Sequence, residues 1–346
     1  MVAERVAVIG AGSWGTALAL VLAGKGHEVT LWAHRPGHAR AMVEEGENRS
    51  YLPGFPLGRN IIVTADIEEA VAERPYVVMV VPSHGFRAVF EQLIPHLADK
   101  THVISAAKGI ENTTLRTMSQ LMEEELAAVG DPVWSAGVQL GVLAGPSFAR
   151  EVADQVPTAV TVAAKDKRAA QAFQELFFTD RFRVYAATDV IGLELGGALK
   201  NIIAIGAGIS DGLGYGTNTR AALITRGLAE ITRLGVRLGA NPLTFSGLGG
   251  LGDLVLTCTG DLSRNRQVGL KLGQGKTIKQ ILDEMHMVAE GVKTTQSAWS
   301  LAQKHQVDMP ILAQVYQVLY EEKPCRDAVH ELMSRSQKEE VDFLFS

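Results

Sequence analysis

Two lysines stand in settings that ordinary surface lysines do not have. Lys200 lies in Gly196-Gly197-Ala198-Leu199-Lys200-Asn201-Ile202-Ile203-Ala204-Ile205-Gly206, a stretch that is otherwise apolar or small apart from Asn201. Burying an unpaired charge is costly, so such a lysine needs a partner or a purpose. A buried lysine shifts its pKa readily and can act as general acid or base; the alternative is a side chain snorkelling at a helix surface. Lys108 falls in Ser105-Ala106-Ala107-Lys108-Gly109, just past an apolar run, and is either a solvated charge or a donor aimed at a substrate. Gly145-Pro146-Ser147 supplies a rigid turn, backbone N–H groups and a hydroxyl, all suited to an oxygen-rich small molecule. Gly252-Asp253 closes a glycine run, and Ser263-Arg264-Asn265-Arg266 brings two guanidiniums and an amide together. Arg264 and Asn265 can clamp a phosphate through charge-assisted and neutral hydrogen bonds, although a solvated basic turn fits that spacing equally.

A second constellation opens the chain. The run Arg5–Ile9 leads into Gly10-Ala11-Gly12-Ser13-Trp14-Gly15, which matches GxGxxG, and then into an apolar helix-like segment. A lone GxGxxG is weak, but here it follows a strand, opens a helix and begins a βαβ unit, the context of a dinucleotide-binding turn. Gly10 permits the tight turn, Gly12 lets the backbone approach a pyrophosphate, and Gly15 lets the helix pack on the strand. The free N–H groups at the helix start then face the anion. An NAD site usually carries Asp or Glu about 20 residues after the glycines, on the ribose 2′-hydroxyl. This chain has Leu31-Trp32-Ala33-His34-Arg35 instead, with a guanidinium where a 2′-phosphate would lie. NADPH is therefore the expected cofactor and NADH the alternative. Leu270–Thr277 ends like a P-loop, but Leu270 stands where the motif needs Gly and no apolar strand precedes it.

The elements that must position these residues fall into two textures. β-Branched runs at Arg5–Ile9, Glu28–Trp32, Tyr76–Val81, His102–Ala106, Gly141–Ala144, Thr158–Ala163 and Phe182–Tyr185 alternate with helix-like segments at Trp14–Ala23, Pro36–Glu45, Ile67–Ala72, Phe86–Leu97 and Thr114–Ala128. Apolar runs joined by crossover helices are the signature of a doubly wound, mostly parallel sheet. From about Asp189 the pattern is helical throughout, at Glu194–Ile209, Thr219–Leu238, Leu243–Leu248, Thr277–Met285, Thr294–Gln306 and Pro310–Glu321. The expected fold is α/β, a Rossmann-type dinucleotide-binding domain over 1–188 followed by an all-α substrate-binding and catalytic domain over 189–346. Glycines crowd Gly192–Gly216 and Gly247–Gly252. Since Gly in a helix costs about 1 kcal/mol relative to Ala, they imply either tight helix packing or helix ends aimed at a ligand.

Composition narrows the function classes. The 346 residues are 47% hydrophobic and 21% charged, enough for two packed domains. With 33 Lys and Arg against 38 Asp and Glu, the net charge of −5 argues against a nucleic-acid or acidic-membrane binder. Two cysteines, with no CxxC and no Cys/His cluster, make a disulfide framework and a metal site unexpected and a reducing cytoplasm the default. The chain enters a strand at once, leaving no room for a signal peptide, and no uncharged apolar run reaches the ~18 residues of a membrane span. A homodimer is the expected assembly, because two-fold pairs are the commonest.

Taken together, Gly10–Ala19, Pro82-Ser83-His84, Lys108-Gly109, Gly145–Ala149, Leu199-Lys200-Asn201, Gly249–Leu254, Ser263–Arg266 and Glu290-Gly291 resemble, in order and over nearly the whole chain, the bacterial-type NAD(P)-dependent glycerol-3-phosphate dehydrogenases. The resemblance implies reversible reduction of dihydroxyacetone phosphate to sn-glycerol 3-phosphate, which feeds phospholipid synthesis. It makes Lys200 the catalytic proton donor and acceptor, and Lys108 a lysine touching both substrate and cofactor. Gly145, Ser147, Asp253, Ser263, Arg264 and Asn265 match substrate-binding positions, with Arg264 also reaching the cofactor. Ser13, Trp14, His34, Arg35, Ala149, Val288 and Glu290 match cofactor contacts. Two rivals share parts of the pattern: a ketopantoate or β-hydroxyacid dehydrogenase, which needs no phosphate clamp, and a catalytically silent dinucleotide sensor, which leaves both lysines without a task.

Overall fold

In this computed structural model residues 3–285, 289–337, 339 and 340 are described, and they divide into two units. The first comprises residues 1–107 and 118–190, the second residues 108–117 and 191–346. The junction between Val190 and Ile191 lies two residues beyond the expected boundary. The insertion of Lys108–Thr117 into the second unit was not expected.

The first unit is built on eight strands: β1 (Arg5–Ile9), β2 (Glu28–Trp32), β3 (Ile61–Thr64), β4 (Tyr76–Met79), β5 (His102–Ser105), β6 (Gln139–Ala144), β7 (Thr158–Ala163) and β8 (Phe182–Ala187). They form one sheet in the order β3-β2-β1-β4-β5-β6-β7-β8, parallel except for the β6–β7 pair. The first six positions are the dinucleotide-binding order, in which ligands lie beyond the carboxyl ends of the strands. Helices α1 (Ser13–Gly24), α2 (Pro36–Glu45), α3 (Ile67–Val71), α4 (Phe86–Leu93), α5 (Met118–Ala128), α6 (Pro132–Gly137), α7 (Ala149–Ala153) and α8 (Lys167–Phe177) complete the unit. Strands β1, β2 and β4 are buried nearly end to end, as crossover helices on both faces require. Two apolar clusters result. One gathers Val6, Val8, Leu18, Leu22 and Phe173; the other gathers Ala7, Ile9, Met79, Phe86 and Phe90.

The second unit holds helices α9 (Val190–Gly212), α10 (Thr217–Arg237), α11 (Asp253–Thr259), α12 (Arg264–Gly273), α13 (Ile278–Asp283), α14 (Glu290–His305), α15 (Pro310–Tyr320) and α16 (Cys325–Ser334). The inserted segment closes on itself through a bridge between Ile110 and Thr117. Its Ile110 joins the core formed by Leu199, Ile203, Leu234, Phe245 and Leu312. Among the described residues α9 is the helix long and apolar enough to cross a membrane, but most of it is buried within the protein. Its glycines serve packing. A Cβ on Gly208 would lie 2.0 Å from the Arg266 carbonyl oxygen, and one on Gly212 would lie 2.3 Å from that of Leu270. Helices α9 and α12 therefore approach backbone to backbone, and nearer the start of α9 the side chain of Asn201 meets Asn265 in the first turn of α12.

Candidate active site

Lys200 sits in the middle of α9, 5% exposed, and its ammonium donates to Oδ1 of Asp253 and, at 2.7 Å, to Oγ1 of Thr257. The other oxygen of the same carboxylate, Oδ2, accepts from Nζ of Lys108 at 2.7 Å. One carboxylate, itself 1% exposed, thus binds both lysines that the sequence singles out. Asp253 begins α11 directly after a π-helical turn at Leu248–Gly252, the kind of local unwinding frequent at functional sites. Thr257 follows at i+4, on the same face of α11, and its hydroxyl donates to the Asp253 carbonyl at 2.6 Å, which leaves a lone pair for Lys200. An ammonium has three hydrogens. Asp253 and Thr257 take two, and the third has no protein acceptor among the described residues.

Electrostatics follow from that packing. Burial pushes the Lys200 pKa down to about 8; Asp253 opposes the shift and Lys108 adds to it. Burial alone would raise the Asp253 carboxyl, but the ammoniums of Lys108 and Lys200 together hold it below its ordinary value. The cluster carries one excess positive charge while Lys200 is protonated, which suits an anionic ligand. It becomes neutral when Lys200 gives up its proton.

The residues read as a phosphate clamp gather at the start of α12. Ser263 caps that helix by accepting from the Arg266 N–H at 3.2 Å. Nδ2 of Asn265 donates to Oδ1 of Asn201 at 2.9 Å, and its Oδ1 accepts from the Gly291 N–H at 2.9 Å. The second Nδ2 hydrogen has no protein acceptor among the described residues. Gly291 must be glycine for this arrangement, since a Cβ there would come within 2.8 Å of both the Asn201 carbonyl oxygen and Oδ1 of Asn265. Arg264 is solvent-accessible. Crowding lowers its pKa and Glu290 raises it, without removing its charge. Arg266, also a member of the motif, is committed elsewhere: its guanidinium bonds to Asp211 at 2.8 Å and Asp261 at 2.8 Å.

In the first unit the glycine turn has the form that a dinucleotide requires. Gly10 has φ +120°, and a Cβ there would lie 2.7 Å from the Val80 carbonyl oxygen; one on Gly15 would lie 1.8 Å from that of Gly10. Around Gly12 a Cβ would meet nothing within 4 Å, so the backbone is bare where a pyrophosphate would approach. Gly12 is the N-cap of helix α1, which has no side-chain cap and no acidic residue in its first turn, leaving its N–H groups to an anion. The Trp14 indole N–H is buried and has no protein partner among the described residues. His34 and Arg35 lie exposed just past β2, and Arg35 donates to the Tyr51 hydroxyl at 2.7 Å. These residues fit a nicotinamide dinucleotide. Gly145 has φ +142°, and a Cβ there would press on Cα of Val160 at 2.9 Å; Ser147 donates to the Gly145 carbonyl at 3.0 Å. Ala149 opens α7.

The structure thus brings Lys108, Lys200 and Asp253 into one cluster, groups Ser263, Arg264 and Asn265 on one helix start, and sets Glu290 at the first turn of α14. Val288 lies outside the described residues. Sequence reasoning missed Thr257 and Tyr51, and gave Asn201 no role. Thr257 carried a signal, its i+4 spacing from Asp253, which counts only once 253–259 is known to be helical.

The comparisons with known proteins agree with this geometry. The family model for the NAD-dependent glycerol-3-phosphate dehydrogenase N-terminus matches residues 5–170, and that for its C-terminus matches residues 189–330. A glycerol-3-phosphate dehydrogenase [NAD(P)+] of Desulfotalea psychrophila is 56% identical over 335 residues, covering 97% of this chain and 98% of its own. The protein of the same name from Citrifermentans bemidjiense is 57% identical over 338 residues, with 98% and 99% coverage. The crystal structure of glycerol-3-phosphate dehydrogenase from Coxiella burnetii superposes with a TM-score of 0.91 at 41% identity, covering 96% of this chain and 99% of that one.

Proposed function

This chain belongs to the NAD-dependent glycerol-3-phosphate dehydrogenase family, and from that premise we propose how its residues divide the work. The reaction is the reversible reduction of dihydroxyacetone phosphate to sn-glycerol 3-phosphate, the backbone of glycerophospholipids. When bound, a nicotinamide cofactor would supply or accept the hydride at C2. In reduction the third N–H of Lys200 gives its proton to the substrate's carbonyl oxygen while the carbonyl carbon takes the hydride, leaving an alcohol and a neutral amine. In oxidation that amine accepts the hydroxyl proton. Asp253 and Thr257 aim the Lys200 nitrogen, and Asp253 aims Lys108, whose cation polarises the carbonyl. Arg264, with the spare Asn265 hydrogen, holds the phosphate, and Ser263, Gly145 and Ser147 complete the substrate contacts. On the cofactor side the proposed contacts are Ser13, Trp14, His34, Arg35, Ala149, Arg264 and Glu290.

The observation that carries this reading is the single buried carboxylate shared by Lys108 and Lys200. A sensor without catalysis has no use for a lysine buried at such desolvation cost and tied through one carboxylate to a second. NADPH is the preferred cofactor on the strength of Arg35 at the end of β2, where a carboxylate selective for the 2′-hydroxyl would otherwise stand. We infer a cytoplasmic homodimer, the first from two cysteines that are both free and the second from the frequency of two-fold assemblies.

The test is the loss of NADPH absorbance on adding dihydroxyacetone phosphate, beside dihydroxyacetone and ketopantoate, repeated with NADH. Oxidation with the phosphorylated ketone alone is the expected result, and comparable turnover of dihydroxyacetone would remove the phosphate clamp. Lys200→Ala should lose at least about a hundredfold in kcat, the contribution typical of a positioned proton donor, while cofactor binding survives. Unchanged kcat would remove its role.

A further inference from the structure

Asn48 lies in the connection between α2 and β3, and its side chain is fully buried at 0% exposure. Its carboxamide is saturated. Nδ2 donates to the Ala11 carbonyl at 2.9 Å and to Oγ1 of Thr16 at 2.8 Å. Oδ1 accepts from the Tyr51 N–H at 3.3 Å and lies 3.0 Å from Nε2 of His38. Ala11 stands between the two glycines of the GxG turn, and Thr16 lies in the first turns of α1. On the other side, the Tyr51 hydroxyl accepts from Arg35, and its ring packs edge-on against His38 with centroids 5.2 Å apart. One side chain therefore ties the glycine turn to the Arg35–Tyr51 pair.

We propose that Asn48 is a positioning residue for the dinucleotide, setting the glycine turn that meets the pyrophosphate in register with Arg35, which meets the 2′-phosphate. The inference rests on the cofactor placement proposed above. Having no exposed atom, Asn48 acts through Ala11, Thr16 and Tyr51. Its two halves are separable. The donor half fixes the turn, which NADPH and NADH use alike; the acceptor half fixes Tyr51 and through it Arg35, which matters to NADPH alone. Without the amide, the Ala11 carbonyl loses its inward partner and the turn is free to rotate toward the anion it should avoid.

The experiment measures dissociation constants for NADPH and NADH by quenching of protein fluorescence, with kcat at saturating cofactor and thermal midpoint recorded beside them. Thr16→Val, nearly isosteric, removes one acceptor of the donor half and should weaken both cofactors equally, by about fivefold, the worth of one buried hydrogen bond. Asn48→Ala removes both halves and should weaken NADH about tenfold and NADPH several-fold more, with kcat within about twofold of the parent. Arg35→Ala tests the premise by itself, and its NADPH:NADH affinity ratio should fall while NADH binding holds. If Arg35→Ala leaves that ratio unchanged, the placement of the 2′-phosphate fails and the inference falls with it. If Arg35→Ala lowers the ratio but Asn48→Ala lowers only the thermal midpoint, leaving both dissociation constants of the folded protein at parent values, Asn48 is structural and the proposal is overturned. Should Asn48→Ala not fold, Thr16→Val decides: parent dissociation constants there overturn it.

Discussion

The shared carboxylate makes a quantitative prediction about pH. With the Lys200 pKa near 8, roughly a tenth of the amine is free at pH 7 and nine-tenths at pH 9. Alcohol oxidation needs the free amine, so its kcat/KM should rise about tenfold over that interval and level off above it. Ketone reduction needs the ammonium and should be flat below pH 8, then fall about tenfold per unit. Asp253→Asn keeps the shape of the side chain but removes the charge that holds Lys200 up, leaving burial and Lys108 to push it down. An opposite charge in contact is commonly worth about 1–3 units, so the inflection should move to between about 5 and 7. If it moves to about 6, the protonated fraction at pH 7.5 drops from about three-quarters to about 3%, and reduction slows some twenty-five-fold. Stopped-flow pH profiles of both directions, read from the chemical step, make the measurement. Breaking the pair that the buried Lys200 ammonium makes with this carboxylate also costs about 3–5 kcal/mol of stability, so Thr257→Val serves as the milder variant, with the charge intact and a downward shift of less than about one unit. An inflection that stays near 8 in Asp253→Asn, or rises, would refute the electrostatic account of Lys200.

Two further outcomes test other buried groups. Glu230 is 3% exposed and accepts from the Ile311 and Leu312 N–H groups at 2.7 and 3.1 Å, capping α15, while burial pushes its pKa up to about 7. Between about 4.5 and 7 the folded protein then keeps a proton that the unfolded chain has released, so this residue's contribution to stability falls as pH rises through that window. The urea midpoint of Glu230→Gln should lack that part of the decline; equal slopes for parent and variant between pH 5 and 7 would sink the argument. Cys258 is fully buried, with its thiol pushed up to about 12 by burial, so alkylation followed by mass spectrometry should modify partly exposed Cys325 in the native protein and Cys258 only after unfolding. Native labelling of both at similar rates would show that the helical core opens.

What the sequence made legible follows from where the information is local. Strands β1, β2 and β7 have the expected bounds, β1 and β2 because apolar runs buried on both faces leave no competing period and β7 because its residues are Val, Thr and Ala only. Strand β3 was not expected. It is four residues long, lies at the sheet edge, and its burial is mixed along Ile61–Thr64. Helix α8 was also not expected, although Asp166 caps it and its buried Ala169, Ala170, Phe173, Leu176 and Phe177 follow the helical period. That signal was present and overlooked. At the site, Lys200 was legible because a lone charge in an apolar stretch is a local anomaly. Asn48 was not, since an Asn between a helix and a strand is ordinary until its partners 32 and 37 residues away are known. Asp253 was legible as a candidate, but its pairing with Lys108, 145 residues away, was not.

The charge count at that pairing explains why one carboxylate serves two lysines. Two carboxylates would neutralise both ammoniums, raise the Lys200 pKa, and leave no excess charge for a phosphorylated substrate. No carboxylate would leave the buried Lys200 ammonium within a few ångströms of the half-buried one of Lys108, depressing Lys200 so far that it could not donate a proton near neutrality. A single Asp253, divided between Oδ1 and Oδ2, leaves one net positive charge before proton transfer and none after it. The same division fixes geometry, because two oxygens of one planar group set the separation of the two nitrogens. Lengthening the carboxylate tests that argument: Asp253→Glu preserves the charge but displaces both oxygens by about the 1.5 Å of one carbon–carbon bond. Since misplacement of about an ångström can cost a hundredfold, kcat should fall by about that factor while the pH inflection stays within about one unit of 8. A variant with parent kcat would show that charge alone, not the spacing of Lys108 and Lys200, is what Asp253 supplies.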